Sequence, residues 1–310
     1  MKFAFIFPGQ GSQSVGMMRP FAESKVVLAV FAEASDALKQ DLWKLVAEGP
    51  AEELNATVNT QPVMLTAGYA VYRAWREAGG AEPSVVAGHS LGEYTALVAA
   101  GAIVFRDALP LVRFRAQAMQ EAVPIGEGAM AAILGLDDDA VRAACREAAQ
   151  GQVVEPVNFN APSQVVIAGH KAAVERGAAA AKAKGAKRAM LLPVSAPFHS
   201  SLLRPAADRL AGYLAKVGFS APRISIVNNV DVAVEKDPQR IKDALARQAC
   251  NPVRWVEVVR KIAGEGIAHV AECGPGKVLA GMTRRIDDQL QGYAIADPAS
   301  LEQALQALKS

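Results

Sequence analysis

The stretch Ser84-Val85-Val86-Ala87-Gly88-His89-Ser90-Leu91-Gly92 constrains this chain more than any other. A short apolar run, of the kind found in a buried strand, ends in a glycine, and a helical pattern over 91 to 100 opens directly after the serine. Strand, sharp turn and helix in succession make an α/β crossover. Chains built of such units fold around a mainly parallel sheet with helices on both faces. The first third keeps this rhythm, with a strand at 3 to 7 and helices at 25 to 38, 60 to 78 and 107 to 122.

From 126 to 197 the rhythm changes. The patterns predict strand 129 to 134, helix 138 to 149, strands 153 to 158 and 164 to 168, helix 172 to 184 and strand 188 to 194. The order β-α-β-β-α-β is that of a split βαβ, ferredoxin-like unit, and it reads as an insertion. The α/β pattern then resumes with helix 202 to 217, strand 224 to 227, helices 238 to 249 and 253 to 263, and strand 267 to 271. The expected organisation is therefore a discontinuous α/β domain, 1 to 125 with 198 to 310, interrupted by a subdomain at 126 to 197. A length of 310 residues supports two packed units, since single cores rarely grow beyond about 250 to 300 residues.

With 51% apolar and 21% charged residues the chain can bury a large core. No apolar stretch is long enough for a secretory signal or a membrane span. A formal charge of +2 with scattered basic residues argues against a nucleic-acid groove. Cys145, Cys250 and Cys273 are far apart, form no metal-ligand pair and leave one over from any disulfide, which fits a reducing, cytoplasmic compartment.

Gly88-His89-Ser90-Leu91-Gly92 matches G-x-S-x-G, the turn that lifts a nucleophilic serine above a sheet. Ser90 would then sit at a helix N-terminus, where free amides and the helix dipole stabilise negative charge. Four histidines could supply its base. His269 lies in an apolar strand, His170 starts a surface helix, and His89 is directed beside the serine rather than onto its hydroxyl. His199 follows Ser195-Ala196-Pro197-Phe198 at the return from the insert, a loop position suited to catalysis, and is the expected base. The loop Phe7-Pro8-Gly9-Gln10-Gly11-Ser12-Gln13 has no phosphate-loop spacing, and its best use is an oxyanion contact from the Gln10 amide. Arg113 and Arg115 share one helix. Either could clamp a substrate carboxylate through its planar fork, and either could be a solvated surface residue.

Phe7-Pro8-Gly9-Gln10-Gly11-Ser12-Gln13, G-H-S-L-G-E, R-F-R-A-Q-A-M, N-F-N-A-P-S-Q, the histidine after S-A-P-F, and G-P-G-K-V-L occur in one order along the chain. Together they resemble the bacterial malonyl-CoA:acyl carrier protein transacylase family, a likeness that covers nearly the whole chain. The resemblance implies an α/β-hydrolase-like domain with a ferredoxin-like insert. It also implies transfer of malonyl from malonyl-CoA to the phosphopantetheine thiol of acyl carrier protein, with no bound cofactor and no metal. Carried over, it makes Ser90 the nucleophile, His199 the base and Arg115 the carboxylate clamp. Gln10 and Leu91 would supply oxyanion amides, and the Gln248 backbone carbonyl would orient the histidine. Met119 and Asn160 would line the cleft, with His89 and Phe198 beside the substrate.

Phe198 looks like the A-F-H form of malonyl-selective polyketide acyltransferases, and its ring should crowd an α-branched acyl group. Fatty acid synthesis is the expected pathway, with a free-standing polyketide acyltransferase as the alternative. A thioesterase or esterase shares the nucleophile argument but has no need for Arg115, and a non-catalytic carrier-binding module has no need for Ser90 and His199 together. The expected partners are malonyl-CoA and acyl carrier protein, with Lys187, Arg188, Arg284 and Arg285 as candidate docking cations. The expected state is a monomer.

Overall fold

The structure is a computed structural model that describes residues 1–194 and 196–309. The described residues form nine strands: β1 (Phe3–Phe7), β2 (Val85–Gly88), β3 (Gly128–Leu134), β4 (Val154–Ala161), β5 (Gln164–His170), β6 (Arg188–Leu191), β7 (Ser225–Val227), β8 (His269–Cys273) and β9 (Gln291–Ile295). They form a five-stranded sheet in the order β7-β2-β1-β8-β9, parallel at every pairing, and a four-stranded antiparallel sheet in the order β4-β5-β3-β6.

The central strand shows why the parallel sheet is covered on both faces. Side chains alternate along a strand, so Phe3, Phe5 and Phe7 enter one core and Ala4 and Ile6 the other. The phenylalanines pack on the helix Thr57–Glu77, where Phe5 meets Trp75 edge-on with ring centroids 5.1 Å apart. Ile6 shares the opposite core with Trp255, Val258 and Val259 of the helix Trp255–Gly264. A strand buried on both faces has no polar side to display, hence the unbroken apolar run Phe3–Phe7.

The antiparallel sheet also has two faces. Ala131, Ile133, Val165 and Ile167 pack on the helices Asp138–Ala149 and Lys171–Ala183. Met130, Val166 and Ala168 turn toward the main core, and the first two of these line the cleft between the sheets. Phe159 N–H donates to Val253 O at 3.0 Å and Val253 N–H to Val157 O at 2.8 Å, tying β4 to the parallel-sheet half.

The expected α/β architecture is present, with corrections of extent. The helix expected at 202 to 217 is a 3-10 turn, Ser201–Leu203, followed by an α-helix, Arg204–Leu214. Pro205 stands at the first turn of that α-helix, where no N–H is needed. The strand expected at 188 to 194 stops at Leu191, and the one expected at 267 to 271 runs His269–Cys273. β4 extends to Ala161 through register shifts that place Asn158 and Asn160 toward the cleft. β9 and the helices Leu42–Glu48, Ala51–Asn55, Val278–Ile286 and Pro298–Ala307 were not expected. Ser195, part of the loop motif preceding His199, lies outside the described residues. No described helix is long and apolar enough to cross a membrane.

Candidate active site

Between β2 and the helix Gly92–Ala99 the backbone turns so sharply that Ser90 adopts φ +52°, the left-handed region that side chains rarely occupy. Close approach accounts for the flanking glycines. A Cβ on Gly88 would fall 1.9 Å from the carbonyl carbon of Gly92, and one on Gly92 would fall 2.1 Å from Phe7 O. The strained turn is pinned by Asn229, which follows β7. Ser90 N–H donates to Asn229 Oδ1 at 2.8 Å, and Asn229 Nδ2 donates to Gly88 O at 2.8 Å.

His199 approaches from the loop after β6, also left-handed at φ +66° and only 3% exposed. Its Nε2 lies 2.7 Å from Ser90 Oγ and its Nδ1 2.8 Å from the Gln248 carbonyl oxygen. A carbonyl only accepts, so Nδ1 carries the proton and Nε2 is left to accept from the serine hydroxyl. Burial, reinforced by the nearby Arg115 cation, pushes the imidazole pKa down to about 3, which keeps the ring neutral. The Leu91 and Gln10 amides have no acceptor among the described residues. Both residues line the same cleft. The Gln10 side chain is tethered by Thr57, whose Oγ1 donates to Gln10 Oε1 at 2.6 Å. This arrangement can take a proton from Ser90 and stabilise an oxyanion beside it.

Arg115, on the helix Phe105–Glu121, is 1% exposed and forms no ion pair among the described residues. Nη1 donates to Gln61 Oε1 at 2.7 Å; Nη2 donates to Gln248 Oε1 at 2.9 Å and to Ser90 Oγ at 3.1 Å. Its Nε has no hydrogen-bond partner among the described residues, and its guanidinium carbon lies 5.4 Å from the centre of the Tyr94 ring. A buried cation held only by neutral groups is costly and remains open to an anion.

Residues 4–298 match the acyl transferase domain family. This chain belongs to that family. It is 58% identical over 306 residues to the malonyl CoA-acyl carrier protein transacylase of Escherichia coli K12, covering 98% of this chain and 99% of that one. An acyl-carrier-protein S-malonyltransferase structure from Burkholderia pseudomallei superposes with a TM-score of 0.98 at 71% identity, over 99% of this chain and 100% of that one. A malonyl-transacylase solved with its type II polyketide acyl-carrier protein gives a TM-score of 0.98 at 54% identity, over 99% and 100% of the two chains.

In this acyl transferase the remaining expected residues fall around one cavity of about 820 Å3. Met119 and Phe198 form apolar wall, and His89 Nε2 sits 2.7 Å from Asn160 Oδ1 across the two sheets. Arg113 points elsewhere, to Gln40 and to the Leu38 carbonyl, so of the two arginines only Arg115 reaches the cavity. His170 accepts from Val153 N–H at 3.0 Å, and His269 meets the Tyr293 hydroxyl at 3.1 Å; neither lines the cavity. Among the described residues no His, Cys, Asp and Glu cluster could hold a metal. Sequence reasoning missed Gln61, Glu93 and Asn229, which hold the arginine and the turn in place. The paired asparagines Asn228-Asn229 at the end of a strand were the available signal.

Proposed function

We propose that this acyl transferase moves malonyl from coenzyme A to the phosphopantetheine thiol of an acyl carrier protein through a malonyl ester on Ser90, supplying fatty acid synthesis. The observation that carries this reading is Arg115, a buried cation that touches the nucleophile and has no ion pair among the described residues. Malonyl-CoA brings the missing carboxylate, and a planar guanidinium suits it.

In the first half-reaction Ser90 Oγ attacks the thioester carbonyl while its proton passes to His199 Nε2. The Gln10 and Leu91 amides receive the oxyanion. Collapse breaks the carbon–sulfur bond, and His199 returns the proton to the departing coenzyme A sulfur. In the second half-reaction the carrier thiol gives its proton to His199 and attacks the Ser90 ester; Ser90 Oγ leaves and takes that proton back. The Gln248 carbonyl holds the imidazole in the tautomer both steps need. Met119 and Phe198 bound the acyl group, the ring disfavouring an α-branch, while the His89–Asn160 pair lines the approach.

We take residues 126 to 197 as a ferredoxin-like subdomain whose sheet covers the cavity, and 1 to 125 with 198 to 310 as the catalytic domain. The three cysteines are free and buried, which supports a cytoplasmic setting. The polyketide reading is favoured by one observation, the likeness to a transacylase solved with a polyketide carrier. Rates with fatty-acid and polyketide carrier proteins separate the two. The function itself is tested by incubating the protein with malonyl-CoA and mapping the adduct: one malonyl group on Ser90, discharged by a carrier thiol, is expected, and rapid discharge to water would mark a hydrolase.

A further inference from the structure

Beneath the nucleophile turn lies a group that the two half-reactions do not use. Glu93, in the first turn of the helix Gly92–Ala99, is 2% exposed. Its Oε2 accepts from Asn229 N–H at 3.0 Å and from Gln248 Nε2 at 2.9 Å. An acid at a helix N-terminus gains from the dipole when it stands in solvent. This one is buried instead, and burial pushes its pKa up to about 7, against the pull of its hydrogen bonds and of Arg115. Helix stability therefore does not account for it.

The contacts of Gln248 do. Its backbone carbonyl holds His199 and its side-chain oxygen accepts from Arg115 Nη2, while its side-chain nitrogen donates to Glu93 and, at 3.0 Å, to Ser90 O. An amide has one accepting and one donating end. Two acceptors on one side force the nitrogen there and turn the oxygen to the guanidinium. The same amide stands between Glu93 and Arg115, so the acid does not take the place the substrate carboxylate would fill.

We propose that Glu93 is a positioning residue for malonyl transfer: its Oε2 fixes the orientation of the Gln248 amide and, through it, the presentation of Arg115 to the substrate carboxylate. This rests on the reading of Arg115 as the clamp. Asn229 N–H shares the same acceptor, but Asn229 holds the Ser90 turn through its own side chain, so loss of the Glu93 oxygen falls on the clamp.

The test compares kcat/KM for malonyl-CoA and acetyl-CoA in Glu93→Met, which removes the acceptor at similar size, and Glu93→Gln, which keeps one. Glu93→Met should lower malonyl transfer about tenfold or more while changing acetyl transfer less than about threefold, and Glu93→Gln should recover most of the loss. In an Arg115→Ala background, adding Glu93→Met should change malonyl transfer less than about twofold, because the route of its effect is gone. Equal losses for both substrates, or a full additive loss in that background, would overturn the proposal. Should Glu93→Met not fold, Glu93→Asp keeps a buried acid but withdraws its oxygen from Gln248 Nε2; a malonyl-specific loss is expected, and unchanged selectivity overturns the idea. Arg115→Ala alone separates the two levels. If it leaves selectivity intact the clamp reading fails, whereas if it abolishes selectivity and Glu93→Met does not, only the role of Glu93 fails.

Discussion

Arg115 Nη2 donates to Ser90 Oγ over 3.1 Å, so the buried cation and the serine hydroxyl are in direct contact. The serine hydroxyl thus accepts from the arginine while donating to His199 Nε2. A substrate carboxylate that takes over the guanidinium would free the serine oxygen as it positions the acyl group. On the proposed reading, binding and activation are coupled through one atom.

The pH behaviour follows from His199. Burial first, and the Arg115 cation second, hold its pKa near about 3, below its ordinary 6.5. A base with a depressed pKa stays active until pH falls through that value. The profile of kcat/KM should therefore show no inflection near 6.5 and an acid limb only far below it. A bound carboxylate offsets part of the Arg115 charge, so the acid limb of kcat should lie above that of kcat/KM. A limb of kcat/KM at the ordinary histidine value would contradict the assignment. The unfolded chain binds the His199 proton more readily than the folded one, so this group adds stability as pH rises from about 3 to 6.5.

Ser90→Ala should abolish the acyl-enzyme, since no other nucleophile reaches His199 Nε2. His199→Ala should slow acylation and carrier transfer by about 10²-fold or more. Intact-protein mass after malonyl-CoA and single-turnover transfer to carrier check the pair; a malonylated Ser90→Ala protein, or an unimpaired His199→Ala, would move the site.

The turn itself predicts two stability effects. Gly92→Ala forces a methyl group to within 2.1 Å of Phe7 O, and should cost at least about 3 kcal/mol or prevent folding. Asn229→Ala leaves the part-buried Ser90 amide without its acceptor, and should cost about 1–3 kcal/mol together with a fall in kcat. Thermal melts and kcat measured on the same preparations show both; an Asn229→Ala protein with full activity would mean the turn holds itself.

Local pattern made much of this legible. The serine turn, the alternation along β1 and the β-α-β-β-α-β order between 128 and 191 each need only neighbouring residues, and all are present. β9 escaped notice because Gln-Gly-Tyr-Ala-Ile is an edge strand with little apolar alternation, and the helix Val278–Ile286 was hidden behind the turn-forming Gly274-Pro275-Gly276. In the site, Arg115 and Arg113 were indistinguishable by spacing, since both lie on an amphipathic helix and only packing decides which turns inward. Gln61, Glu93 and Asn229 come from segments more than a hundred residues apart at the extremes, and nothing local marks residues whose task is to hold other side chains. Gln248 entered for its backbone carbonyl, while its side chain carries a second connection, to Arg115 and Glu93.

The most direct test of malonyl transfer is the selectivity of Arg115 variants. Malonyl-CoA differs from acetyl-CoA by one carboxylate, which on the proposed reading Arg115 receives. With folding confirmed by thermal melt, kcat/KM for both substrates is measured in wild type, Arg115→Ala and Arg115→Lys. Arg115→Ala should lose about 2–5 kcal/mol of malonyl transfer while acetyl transfer changes little, so that selectivity collapses, and Arg115→Lys should restore only part because an ammonium lacks the planar fork. A folded Arg115→Ala protein that keeps its preference for malonyl, or loses both activities equally, would contradict the account.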